Sequence, residues 1–177
     1  MLYTPTHREY QDSYVPVLDA RAVAAGLGPD HVLMTRAHYF YPDTAGLHGD
    51  VRDVSNHPSV EELMLAADVL VTDYSSIMFD YAVLDRPIVI HAPDWDTYRR
   101  LRGVYFDLTE EPPGPVTTTE QGVVEAIRAG DTEPQLRAAF RARFCSLEDG
   151  RAAERVVRRV WFGERIAHEQ PAPVTAG

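Results

Sequence analysis

The chain contains no lysine: all 17 of its basic residues are arginine. An all-arginine complement reads first as the codon bias of a GC-rich genome and carries no function by itself. There is one cysteine, Cys145, so no disulfide can form within the chain. That fits a reducing compartment and a core role for Cys145 rather than a nucleophilic one. No stretch approaches the roughly 20 apolar residues a membrane span needs, and the start lacks the basic-then-apolar pattern of a signal peptide. Neither G-x-G-x-x-G nor G-x-x-x-x-G-K-[ST] occurs, which counts against dinucleotide and P-loop readings. The seven histidines, His31, His48, His57 and His91 among them, show no metal-ligand spacing, so no metal and no cofactor is expected. A net charge of −10 argues against nucleic acid, whose affinity comes largely from phosphate neutralisation, and against a generally basic membrane-binding surface.

What is present is enough for one domain: 177 residues, 45% of them apolar. Short β-branched runs predict strands at Leu2–Thr4, Val32–Thr35, Val51–Val54, Val69–Thr72, Ile88–His91 and Val104–Asp107. Helical patterns fall between several of them. One runs over Val15–Ala25 and is closed by Gly26 and Gly28; another spans Ser59–Ala67 behind the capping box Ser59-x-x-Glu62. Pro112 to Pro115 form a rigid loop, and Thr118-x-x-Gln121 caps a helix that Gly130 ends. Further helices are expected from Thr132–Pro134 to about Phe144 and from Arg151 to Phe162. Alternation of this kind predicts an α/β fold, a Rossmann-like parallel sheet with flanking helices, over residues 1–166. Residues 167–177 read as a disordered tail.

The most informative stretch is residues 68–87, DVLVTDYSSIMFDYAVLDRP. A buried strand breaks at Asp73-Tyr74-Ser75-Ser76 and passes into a run apolar on nearly every side, Ile77 to Leu84, which reads as a buried helix. Asp85-Arg86-Pro87 stops it. Hydroxyls at Ser75 and Ser76 would sit where unpaired N–H groups and a helix dipole converge, a phosphate cradle without a glycine-rich loop. The plain alternative is that the serines are helix caps. The position favours a site, because open α/β sheets bind ligands at the carboxyl ends of their central strands. Asp80 interrupts the apolar run one turn on; a buried carboxylate needs a partner, and a ligand hydroxyl is a natural one.

This segment resembles the signature of the CDP-glycerol glycerophosphotransferase family, the polymerases and primases of teichoic acid. Leu2-Tyr3-Thr4-Pro5-Thr6-His7-Arg8-Glu9 resembles the opening of the family's carboxyl-terminal half, and Leu33 to Tyr39 its R-x-H segment. Tyr98-Arg99, Arg102 to Asp107, Pro113-Gly114-Pro115, and Asp149-Gly150 with Glu154-Arg155-Val156 follow in the family's order. The likeness covers about residues 1–162. It implies the donor-holding half of a two-domain GT-B arrangement, with the acceptor half and its base histidine lying outside these residues. On that ground the isolated chain is expected not to turn over.

The implied reaction moves glycerol phosphate from CDP-glycerol to a glycerophosphate polymer, releasing CMP. The resemblance places Pro5, Thr6, Arg36, Ala37, His38, Tyr39, Ser75, Ser76 and Asp80 around CDP-glycerol. His38 is implied as the group that contacts phosphate or protonates departing CMP; apart from the resemblance, it reads as an ordinary exposed histidine at a strand end. A CDP-ribitol polymerase half shares these motifs. A non-catalytic CDP-ligand module and a nucleotide-sugar glycosyltransferase half are the other readings.

Near the end, Arg151, Arg155, Arg158 and Arg159 fall on one helical arc, opposite Ala153, Val156, Val157, Val160 and Trp161. The spacing predicts a cationic stripe facing outward. It is either a solvated face or a contact for an anionic partner: the missing half-domain, the polymer, or phospholipid at the inner face of the membrane, where family members work.

Overall fold

A computed structural model describes residues 1–8, 10, 16–37 and 51–164 of the chain. Among these residues six parallel strands form one sheet: β1 (Leu2–Thr4), β2 (Leu33–Thr35), β3 (Val51–Asp53), β4 (Leu70–Thr72), β5 (Ile88–His91) and β6 (Val116–Thr117). Their order is β3-β2-β1-β4-β5-β6, so the chain winds outward in both directions from the β1–β4 pair. The Rossmann-like α/β class expected from the alternation is the one observed.

The period-two alternation of the strands builds two cores. Leu2, Leu70, Ile88 and Ile90 point to one face, under α2 (Val60–Ala66), α3 (Ile77–Val83) and α6 (Pro134–Phe144). Tyr3, Val71 and Val89 point to the other, under α1 (Ala20–Leu27) and α5 (Glu120–Ala129). Burial on both faces explains why β4 and β5 read as continuous apolar runs. Cys145 packs against the first core, where burial above all raises its thiol pKa.

Several elements differ from the sequence reading. Val104–Asp107 is not a strand. Gly103 takes φ 73° and ends α4 (Trp95–Arg102), and the chain then leaves the sheet with Val104 and Tyr105 exposed. The sixth strand is β6, only two residues long and therefore without a readable period. It is placed by Pro113-Gly114-Pro115: the Ile90 N–H donates to the Pro115 carbonyl at 2.9 Å. A Cβ on Gly114 would sit 2.0 Å from the Ile88 carbonyl oxygen, so only glycine allows this approach to β5. Helix α1 starts at Ala20, because the Asp19 carboxylate accepts from the Arg21 and Ala22 N–H groups at 3.0 and 3.1 Å. Thr119, not Thr118, caps α5. Ser59 caps α2, but the Glu62 carboxylate turns to His57, so only half of the capping box forms.

Helix α3 is two-sided rather than buried all round. Ile77, Met78, Tyr81 and Ala82 face the core, while Val83 and Asp80 are exposed. The carboxylate expected to be buried is thus at the surface. The last helix among the described residues, α7 (Ala152–Trp161), is amphipathic as predicted, but both of its faces are open: Arg151 and Arg158 are 67% and 52% exposed, and Val156, Val157, Val160, Trp161 and Phe162 are 44–73% exposed. Three of its four arginines are tied by acids, and Arg159 donates to the Glu164 carbonyl at 3.5 Å. Arg151 and Arg158 pair with Glu154, Arg155 with Asp149, and Arg158 with Glu164. The expected tail, 167–177, lies outside the described residues.

Candidate functional site

Where the chain reverses its winding, the carboxyl ends of β1, β2, β3 and β4 enclose an open cleft of about 290 Å³. Thr4 and Pro5 leave β1, Arg36 and Ala37 leave β2, and Ser55 follows β3. The β4–α3 turn contributes Ser75 and Ser76, and Asp80 stands one turn along α3. A second cavity of about 40 Å³, at the opposite end of the sheet among Pro87, Ile88, Gly114 and Arg137, is too small for a nucleotide.

Six of the residues singled out from the sequence therefore line one cleft: Pro5, Arg36, Ala37, Ser75, Ser76 and Asp80. Thr6 lies behind it, its amide and hydroxyl both donating to Asp73, at 2.9 and 2.6 Å. His38 and Tyr39 lie outside the described residues. Ser55 was missed. It accepts from the Ala37 N–H at 3.0 Å and donates to Asp53 at 2.5 Å, so it fixes the exit of β2; the Asp53-x-Ser55 turn after a strand was the available signal.

The polar groups are disposed for an anion. Arg36 is half-buried and anchored through Nη1 to the His57 carbonyl at 2.7 Å, and it pairs with no carboxylate among the described residues. Its permanent charge is left for something else. Ser76 begins α3 without capping it, and Ser75 Oγ accepts the Ile77 N–H only at a long 3.4 Å. These hydroxyls are thus poorly used as caps, against the plain alternative. Helix α3 has only seven residues, so hydroxyls and Arg36 outweigh any dipole. Asp80, though exposed overall, keeps a carboxyl pKa raised above its ordinary value, by partial burial first and then by the charges of Glu61 and Glu148.

A doubly wound α/β domain with a polar cleft over its switch point is the class of nucleotide-type ligand binders. Within that class, the chain belongs to the family described as CDP-glycerol:poly(glycerophosphate) glycerophosphotransferase, which it matches over residues 1–162. It is 36% identical to the teichoic acid glycerol-phosphate transferase of Staphylococcus aureus, covering 91% of this chain and 44% of that protein. It is 36% identical to the teichoic acid poly(glycerol phosphate) polymerase of Bacillus subtilis, covering 93% and 24%. The solved wall teichoic acid polymerase TagF superposes with a TM-score of 0.74 at 35% identity, over 88% of this chain and 40% of that one. A TagF variant soaked with CDPG gives 0.73 at 37% identity, over 88% and 41%. The chain spans less than half the length of these relatives.

Proposed function

We propose that the chain is the donor-holding half of a CDP-glycerol glycerophosphotransferase, which passes glycerol phosphate to a teichoic-acid-type polymer and releases CMP. The observation that carries this is Arg36, a cation without a carboxylate partner among the described residues, facing the serine turn across the switch-point cleft. Phosphoryl transfer asks a protein mainly to position the reacting oxygens and neutralise their charge. Arg36 with the Ser75 and Ser76 hydroxyls would hold the diphosphate, and Asp80 would accept from a donor hydroxyl. His38 and Tyr39 complete the proposed contacts, with His38 donating to phosphate or to departing CMP.

Calorimetry with CDP-glycerol tests the donor site. Ser75→Ala with Ser76→Ala removes hydroxyls from charged oxygens, bonds worth about 1.5–3 kcal/mol each, so affinity should fall at least tenfold with little change in stability. Unchanged affinity sinks the assignment. CMP release with a glycerophosphate primer separates an enzyme half from a binding module, and CDP-ribitol in the same assay separates the two polyol donors.

We also propose that the protein works at the inner face of the membrane, with α7 lying on it. Exposed Trp161, Phe162 and three valines beside arginines are the composition of an interfacial helix. The acids paired with the arginines reduce the role of charge, so binding to vesicles should depend on Trp161 more than on salt. A chain that ignores anionic vesicles at low salt refutes it.

A further inference from the structure

One guanidinium ties together the ends of three adjacent strands. Arg8 follows β1, Asp73 follows β4 and Asp94 follows β5. Arg8 Nη1 lies 2.8 Å from Asp73 Oδ2 and donates to the Thr6 carbonyl at 2.8 Å; Nε and Nη2 donate to the two Asp94 oxygens at 2.8 and 3.1 Å. The side chain is 2% exposed, with its guanidinium 4.8 and 5.3 Å from the ring centres of Tyr74 and Tyr98. Arg8 is committed to carboxylates and aromatic faces, and the ion cluster it forms with two acids carries no surplus positive charge for a ligand. Its effect must pass through what it holds.

What it holds adjoins the cleft in sequence: Thr6 follows Pro5, and Asp73 and Tyr74 precede Ser75. The Asp73 carboxylate also accepts from the Thr6 N–H and hydroxyl and from the Tyr74 N–H at 2.6 Å, so one carboxylate joins the loop after β1 to the turn that leads into Ser75. Asp94 starts α4 yet caps none of its N–H groups. Its oxygens take Arg8, the Tyr10 hydroxyl at 2.6 Å and the Tyr74 hydroxyl at 2.8 Å instead. A helix cap has been given up for this junction. The planar fork of arginine can grip Asp94 with two donors while reaching Asp73; the single ammonium of lysine cannot.

We propose that Arg8 is a positioning residue for the donor cleft: by bridging Asp73 and Asp94 it locks the loop of Pro5 and Thr6 against the turn of Ser75 and Ser76. The inference rests on the donor-binding reading above. Small displacements of positioned groups are costly, a shift of 1 Å being worth on the order of a hundredfold in rate.

The test combines calorimetric affinity for CDP-glycerol with amide hydrogen exchange, on the wild-type chain, Arg8→Lys, the Ser75→Ala/Ser76→Ala pair and all three substitutions together. Arg8→Lys should weaken binding tenfold or more and speed exchange at the Thr6 and Tyr74 amides. The serine substitutions should then cost much less in the Arg8→Lys background than in the wild type, because the cradle they remove is already misplaced. Strictly additive losses, or wild-type affinity in Arg8→Lys, overturn the proposal while leaving the donor site standing. A wild-type chain that does not bind CDP-glycerol overturns the donor reading and this inference with it. Should Arg8→Lys fail to fold, Asp94→Asn, on the more exposed partner, is expected to weaken binding several-fold; a folded Asp94→Asn with wild-type affinity overturns the proposal equally.

Discussion

Arg137 of α6 donates to Asp85 at 2.8 Å, and Asp85, at φ 56°, is the non-glycine residue in left-handed backbone among the described residues. The same guanidinium grips both oxygens of Asp131 at 2.8 Å, and Arg141 adds a contact to Asp85 at 3.1 Å. The turn that ends α3, and so fixes the far end of the helix bearing Asp80, is held from α6. Hydrogen bonds from Arg137, ahead of its charge, hold both carboxyls below their ordinary range.

Replacing Arg137 by methionine keeps the buried stem and removes the charged bonds. Asp85 and Asp131 are 58% and 41% exposed and regain water, so the expected loss is about 2 kcal/mol rather than the sum of the bonds. Asp85→Asn, which tolerates left-handed backbone, should cost less than Asp85→Ala, which adds about 1 kcal/mol of backbone strain. Urea denaturation of the three variants checks the order; an Asp85→Ala as stable as Asp85→Asn contradicts it.

Gly114→Ala should be among the most destabilising single changes in the chain. The added methyl meets the Ile88 carbonyl in the backbone of a central strand, which cannot rotate aside. Overpacking of this kind costs typically 1–3 kcal/mol and more where backbone must shift. A thermal midpoint within 2 °C of wild type, about the smallest shift that a loss of 1 kcal/mol gives a chain of this size, would contradict the contact.

How far the sequence disclosed this molecule depends on how local each cause was. Strands β1, β4 and β5 were legible because burial on both faces makes a strand uniformly apolar. Of the six cleft residues, Ser75, Ser76 and Asp80 were legible from a turn after a central strand, whereas Pro5, Arg36 and Ala37 were legible only through the family resemblance. The open apolar face of α7 was not: amphipathic spacing names two faces but not whether either meets the body, and here Arg155 is tied to Asp149 and the Leu147 carbonyl of the preceding turn. Nor was the Arg8 junction, since Arg8, Asp73 and Asp94 come together only when β1, β4 and β5 lie side by side.

His91, at the end of β5, supplies a pH dependence. Burial above all lowers its pKa below the ordinary value near 6.5, outweighing the bond to the Val17 carbonyl at 3.2 Å and the acids Glu120, Asp73 and Asp94. The unfolded chain takes up this proton below about pH 6.5 while the folded chain stays neutral, so stability is fully present above that pH and is lost as pH falls towards the folded pKa. Melting temperature should begin to drop as pH falls below about 6.5. His91→Gln should flatten that slope whatever its own stability; an unchanged slope would assign the loss to another group.

The exposed face of α7 makes the last prediction. Core truncations such as Leu70→Ala remove a fully buried side chain and should cost about 2–5 kcal/mol. Val160→Ser and Trp161→Ser act on side chains that are 65% and 73% exposed, and each should change stability by no more than about 0.5 kcal/mol. Arg155→Ala, by contrast, severs the bonds to Asp149 and the Leu147 carbonyl that attach the helix to the preceding turn, so it should speed amide exchange throughout α7. The polar face, not the apolar one, then carries the attachment of this helix. A Trp161→Ser variant that loses several kcal/mol in urea denaturation would reverse that assignment, placing the apolar face against the body of the protein.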